Sequence, residues 1–435
     1  MTPMSRWRSL SHVAASTLAS WVARPVRARV LAAVIVAAST ALMLWPRLGQ
    51  DEVHWLVDLQ VYQGAGVAVR SGHSLYTYAT PFPQRLPFTY PPFGGLLAIP
   101  LSLLSRYPLG IVWTAVEWAL CLFLARKLFR PLIDRAGPLG PLVFAGAVVL
   151  TEWIVPIRDT FYFGQVNLFL VALVVVDLTV VRGRWPRGLL IGIAAAIKLT
   201  PALFIPYLWM TGRRRMAGVA AATFAGGQLL AAAILPSDSR EYWTHTVFEG
   251  SRLGLNTVVS NQSIRGMLLR FALPSPYGSL IWLVLAAPVA VIGLRRAKQA
   301  YADGEVVLSI GLTGLTAALV SPVSWIHHFL WILLVIAALA AHAHDPRSVR
   351  RAIGIATVFV LNIPQWGEIL VRGSGSYVLG RLLQETYLVL TVAVVTALPW
   401  PGQILAPVDA LPSPSTGKEA HADDGEAASR PVVTP

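Results

Sequence analysis

Long apolar runs separated by short basic connectors set the pattern of this chain. The runs fall at 30–45, 109–128, 139–156, 161–181, 216–235, 279–294, 305–320, 329–341, 353–366 and 382–399. A helix needs about 20 apolar residues to cross a bilayer. The pattern therefore predicts an all-α polytopic membrane protein with about 11–12 transmembrane helices. Residues 93–104 form a shorter run, read as partly re-entrant. Residues 188–209 pose a problem of direction, because they have Arg187 before them and Arg213-Arg214-Arg215 after. A single crossing would put one basic cluster outside. Two half-helices meeting at Lys198-Leu199-Thr200-Pro201 would keep both inside, and Pro201 is the natural break. The hairpin is the preferred reading.

The polar segments alternate in kind. Arg126, Lys127, Arg130, Arg135, Arg182, Arg184, Arg187, Arg295, Arg296, Lys298, Arg347, Arg350 and Arg351 follow or precede apolar runs, as cytoplasmic loops do. Residues 1–29 carry Arg6, Arg8, Arg24, Arg27 and Arg29 and read as a basic cytoplasmic N-terminus rather than a cleaved leader. The transmembrane domain then spans 30–400. It includes a first extracytoplasmic loop at 46–92 and a second at 236–277. Within the first, apolar and polar residues alternate at helical spacing over 53–69, which predicts an amphipathic helix lying at the interface. Thr80-Pro81-Phe82-Pro83 and Tyr90-Pro91-Pro92-Phe93 are too rich in proline for helix. Residues 401–435, rich in Pro, Ser, Ala and acids, read as a disordered cytoplasmic tail.

Composition sharpens this picture. Of 435 residues, 55% are hydrophobic and only 13% charged, which excludes an ordinary soluble domain. The formal charge of +14 invites a nucleic-acid reading, but the arginines sit in connectors, so no nucleic-acid partner is expected. Cys121, alone of its kind, cannot form an intramolecular disulfide.

Candidate chemistry gathers on the outer face that this topology defines. Asp58 lies between Val57 and Leu59, just beyond the first span. A carboxylate held against apolar neighbours has a raised pKa and can accept a proton near neutrality. It is read as a general base, although most acids near a membrane are plain solvated residues and Asp51 and Glu52 compete. Lys198 is a charge within an apolar segment, costing about 3 kcal/mol at a bilayer centre. It calls for an anionic partner: a phosphate, or Asp177 or Glu152, unless it snorkels. Adjacent His327 and His328 point about 100° apart on a helix and cannot readily share one metal ion. One should face a cavity and the other pack. Arg158-Asp159 is either an internal ion pair or part of the site. Gln165, Asn167, Asn261 and Gln262 offer amides suited to sugar hydroxyls, and Tyr62 is a further substrate contact. No metal site, no bound cofactor and no nucleotide-binding motif is expected.

These motifs together resemble a known family. Asp58 to Tyr62, Gly72 to Leu75-Tyr76, and Phe88-Thr89-Tyr90-Pro91-Pro92 are similar to the start of glycosyltransferase family 87. Gly164-Gln165-x-Asn167, Lys198-x-Thr200-Pro201, Asn261-Gln262-Ser263 and Ser321-Pro322 to Trp325 and His328 resemble its later blocks. The resemblance covers roughly residues 50 to 345. It implies a GT-C fold and a polyprenyl-phosphate-mannose donor. It also implies a glycolipid acceptor, a phosphatidylinositol mannoside or lipomannan, that gains an α-1,2-linked mannose on the extracytoplasmic face of the plasma membrane. By the same resemblance Asp58 is the base, Lys198 or, in reserve, Arg158 meets the lipid phosphate, and His327 or His328 lies near the reacting centre. A different polyprenyl-linked sugar, or transport of a lipid-linked sugar, is the competing reading.

Overall fold

The computed structural model describes residues 24–47, 54–180, 183, 185–272, 277–373 and 375–403. The expectations for Asp51, Glu52, most of the N-terminus and most of the tail lie outside them. Among the described residues no strand forms beyond two isolated bridges, Ala79 to Pro87 and Asn261 to Trp325. The helices, in chain order, are α1 (Pro25–Leu44), α2 (Val57–Arg70), α3 (Pro92–Leu97), α4 (Arg106–Leu128), α5 (Arg130–Arg135), α6 (Gly140–Trp153) and α7 (Val155–Phe163). They continue as α8 (Asn167–Thr179), α9 (Leu189–Ile197), α10 (Phe204–Met210), α11 (Arg214–Ile234), α12 (Pro236–Thr244), α13 (Ile264–Arg270) and α14 (Tyr277–Ala302). The last are α15 (Val306–Val320), α16 (Ile332–Ala341), α17 (Pro346–Leu361), α18 (Ile363–Arg372), α19 (Tyr377–Gln384) and α20 (Thr386–Ala397).

The apolar runs become helices of two sorts. Four single helices, α1, α4, α11 and α14, are long and apolar enough to cross a membrane, and at most a third of the apolar window of each is buried. α8, α15 and α16 are shorter and lie inside the bundle, with nearly every residue of α15 and α16 buried. Three further spans are bent: α6 with α7 by 65°, α17 with α18 by 43°, and α19 with α20 by 46°. By length and composition alone, four helices can thus cross a membrane, or seven with each bent pair taken as one span, and the shorter apolar helices and the half-helices of 188–209 lie among them. The bends have local causes. Pro156 opens α7 and Pro364 opens α18, and neither can donate to the turn before it. Arg158, read as a loop residue, therefore stands on a helix.

The segment 188–209 is a hairpin of half-helices. Close packing sets its direction: Gly188 lies against Met216 and Ala220, Gly192 against Ala220 and Thr223, and Gly227 against Ala196. Residue numbers rise together on both sides, so α9 runs parallel to α11. A turn at 211–213 then joins α10 directly to α11, so α10 runs back beside it. Arg187 and Arg213 consequently lie at the same end. The chain breaks at Lys198, whose backbone is extended with φ −146° and ψ 134°, immediately before the turn containing Pro201. Asp177 anchors the first half-helix: its carboxylate accepts from Gly188 N at 2.8 Å and Ile191 N at 3.0 Å.

The stretch after α2 and the stretch that opens with α12 lock together. Asp238 of α12 accepts from Ser74 Oγ at 2.6 Å and Leu75 N at 3.2 Å. Tyr76 stacks on Tyr242 and donates its hydroxyl proton to Tyr90 O at 2.9 Å. The Gly72 to Tyr90 stretch is in this way held over α2, with Leu75, Tyr76 and Phe88 buried.

Candidate active site

α2 forms where the sequence predicts an amphipathic helix, and it buries Leu59, Val61, Tyr62 and Ala65. The same packing leaves Asp58, in its first turn, half-buried. The Asp58 carboxylate accepts a hydrogen bond at Oδ2 from Gln165 Nε2, 2.7 Å away. Gln165 Oε1 in turn accepts from Tyr62 Oη at 3.0 Å, Asn167 Nδ2 at 3.3 Å and Tyr90 Oη at 3.4 Å. The Asn167 carbonyl accepts from Lys198 Nζ at 2.8 Å. Lys198 also meets His328 Nε2 at 2.9 Å and lies over the Tyr90 ring, 5.3 Å from its centre. One hydrogen-bonded series thus joins Asp58, Gln165, Asn167, Lys198 and His328. The loop after α7, the first turn of α8, the hairpin tip and the turn 326–331 supply it.

Charge and direction follow from the donors. Burial pushes the Asp58 carboxyl up to about 6, while the Gln165 hydrogen bond and the Lys198 charge pull it down. A protonated Lys198 requires His328 Nε2 as acceptor, which puts the ring proton on Nδ1, 3.4 Å from Ser324 Oγ. His328 is therefore the histidine that faces the site. His327 packs instead, edge-on to Phe163 and to His328, and is buried. A small cavity runs on from His328 and Asn167, walled by Thr200, Gly314 and Trp331.

Some candidates take other positions. Lys198 pairs with neither alternative acid: Asp177 caps α9, and Glu152 accepts from Ser39 Oγ and Thr40 Oγ1, each at 2.5 Å. Gln165 and Asn167 were expected to offer amides to sugar hydroxyls, but both amides are engaged within the protein. Asn261 and Gln262 differ more sharply from that expectation. Asn261 Oδ1 accepts from Ser324 N at 3.0 Å, and its Nδ2 donates to Asn256 O at 2.9 Å. Gln262 donates to Gln384 O at 2.7 Å and accepts from Leu388 N at 3.1 Å. Both are fully buried struts behind the site, because burial makes an amide bond to whatever backbone is at hand. Arg158 and Asp159 lie within the electrostatic reach of Tyr387 on α20, outside the series that holds Asp58. Two features escaped the sequence reading. Tyr90 is one, although its Tyr-Pro-Pro setting marks a rigidly held ring. The other is the buried pair of Arg270 and Glu385, bonded at 2.6 and 2.5 Å. Among the described residues no group of three or more His, Cys, Asp or Glu side chains is placed to hold a metal ion.

The model of glycosyltransferase family 87 matches residues 88–322. The chain belongs to glycosyltransferase family 87. Curated relatives agree with this placement. A polyprenol-phosphate-mannose-dependent α-(1-2)-phosphatidylinositol mannoside mannosyltransferase of Mycolicibacterium smegmatis is 34% identical over 330 residues, covering 70% of this chain and 74% of the relative. The protein of the same name from Mycobacterium tuberculosis H37Rv is 34% identical over 299 residues, 64% of this chain and 68% of its own. A polyprenol-phosphate-mannose-dependent α-(1-2)-phosphatidylinositol pentamannoside mannosyltransferase of M. tuberculosis CDC 1551 is 30% identical over 75% of both chains. No solved structure matches the chain. The family match begins at Phe88 and so includes Tyr90, Gln165, Asn167 and Lys198, while Asp58 and His328 fall outside it, before its start and after its end.

Proposed function

We propose that this chain is a membrane-embedded mannosyltransferase that uses polyprenyl-phosphate-mannose to add an α-1,2-linked mannose to a phosphatidylinositol mannoside. The observation that carries this reading is the placing of one carboxylate, Asp58, and one ammonium, Lys198, at opposite ends of a series only two amides long. The names of the relatives supply the substrate classes.

The donor's tail lies in the bilayer, and its phosphate enters against Lys198 and His328. The acceptor's 2-hydroxyl approaches Asp58 at Oδ1, which takes no hydrogen bond among the described residues. Asp58 removes the hydroxyl proton as the oxygen bonds to the anomeric carbon from the face opposite the phosphate. The bond from that carbon to the phosphate oxygen breaks, and its electron pair leaves with polyprenyl phosphate. Configuration inverts, so a β-linked donor gives an α product. Lys198 offsets the anionic charge on the leaving group, as fixed cations do at transferring phosphates. The distribution of the basic connectors supports a site on the extracytoplasmic side of the plasma membrane.

The test is reconstitution of the purified protein with labelled mannosyl phospho-polyprenol and a panel of phosphatidylinositol mannosides. Asp58→Asn should lower turnover by about 10² to 10⁴, the usual worth of a positioned base, with donor binding retained. Turnover at the wild-type rate in that variant would remove Asp58 from the mechanism.

A further inference from the structure

Gln165 presents an amide with no choice of orientation. Its Oε1 accepts from the Asn167 amide, whose own oxygen is held by Lys198, and from one of the Tyr62 and Tyr90 hydroxyls, which lie 3.0 Å apart so that the other donates to its neighbour. An oxygen is therefore fixed at that end, and the NH₂ group must point at Asp58. The Asn167 amide is set in the same way, since Lys198 can only donate and so takes its oxygen. Every donor in the series consequently faces the same way, from the ammonium toward the carboxylate. Such head-to-tail hydrogen bonds polarise one another in a buried site. Both side chains are buried, at 4% and 5% exposure, and a substrate hydroxyl would have to displace these partners to reach them.

We infer that Gln165 is a positioning residue for the base. Held by Tyr62, Tyr90 and Asn167, it fixes the rotamer of Asp58 and favours its ionised form. It does so through a charge-assisted hydrogen bond 2.7 Å long, and it touches neither substrate. The charged and titratable groups facing Asp58 are Lys198 from the hairpin tip, Tyr62 from its own helix and Tyr90 from the loop. Gln165 stands between Asp58 and the cation, so the carboxylate gains a donor without being neutralised by direct ion pairing.

The inference rests on Asp58 acting as the base, and the two can fail separately. The measurement is kcat/KM against pH for the reconstituted enzyme, with Gln165→Met, Gln165→Glu and the double variant Tyr62→Phe with Tyr90→Phe beside Asp58→Asn. Gln165→Met keeps the length of the side chain and removes the donor. Its acid limb should move to higher pH by about one unit, the worth of one hydrogen bond to a charged group. Gln165→Glu sets a second carboxyl against the first and should move the limb further. Turnover in Gln165→Met should recover well above neutrality, where Asp58 is ionised anyway, whereas Asp58→Asn should recover at no pH. An acid limb unmoved in both Gln165 variants, with Asp58→Asn inactive, overturns the role of Gln165 alone. Active Asp58→Asn overturns the base itself. Should the Gln165 variants fail to fold, Tyr62→Phe combined with Tyr90→Phe decides: the pair takes the hydroxyl donor off Gln165 and should shift the limb the same way by less, and no shift overturns the inference.

Discussion

At the scale of single residues, Asp58 is caught between opposed influences. Burial raises its carboxyl to about 6, against the pull of Gln165 and Lys198. Only the ionised form can take a proton from an acceptor. The rate constant kcat/KM should therefore rise with pH through about 6 and level off above, which a pH series in liposomes would show. The sign for stability is opposite. A carboxyl with a raised folded pKa costs stability once it is ionised, so that cost appears as pH rises from about 4 to about 6. Asp58→Asn escapes the cost and should melt at or above the wild-type temperature at pH 7. An inactive yet undiminished fold is the expected pairing. For Lys198→Met the donor KM should rise about 10- to 100-fold, the effect of losing about 1.5 to 3 kcal/mol of charge-assisted contact; an unchanged donor KM would take Lys198 out of the site. Asp58 and Lys198 were legible from sequence because each is a charge among apolar neighbours. The amides were not. Gln165, Asn167, Asn261 and Gln262 have the same chemistry, and what separates site wall from strut is a partner 31 to 126 residues away. Nothing local encodes that distance.

At the scale of elements, the hairpin is the device that carries the cation. α9 meets α11 without side chains between them: a Cβ on Gly192 would stand 2.5 Å from Thr223 Cβ and 2.6 Å from Ala220 O. Backbone cannot retreat as a flexible side chain can. Gly192→Ala should cost about 1–3 kcal/mol of stability, the usual toll of overpacking. It should also displace the tip, so turnover should fall more than the melting temperature suggests, as misplacements of about 1 Å often cost 10²-fold. Melting in detergent and turnover measured on one preparation would check both. Hydrophobic patterning did foretell these elements, including the break at Lys198 and Pro201. It does not separate the long outer helices from the shorter inner ones, because a run of 13 to 16 apolar residues reads alike whether lipid or protein surrounds it. It also missed α7, whose start depends on the single residue Pro156.

At the scale of the whole molecule, the segment from Val258 to α13 is fastened to the C-terminal helices by a buried ion pair. Arg270 is bound by both oxygens of Glu385 and donates again to Val258 O and Asn261 O, at 3.0 and 2.6 Å. Removing one partner strands a buried charge, so Arg270→Met should cost about 3–5 kcal/mol. Replacing both partners by methionine should restore much of the loss, and thermal melts of the two variants would separate the cases. The hairpin, meanwhile, sets how deep the chemistry lies. α9 has nine residues, and such a helix climbs only about 13 Å, less than half of a hydrocarbon layer about 30 Å thick. The ammonium at its tip thus stands about 13 Å along the hairpin from the end that Arg187 and Arg213 share. An anion that meets this ammonium must reach it inside the protein, since Lys198 is only 9% exposed and is enclosed by Asn167, His328 and Tyr90.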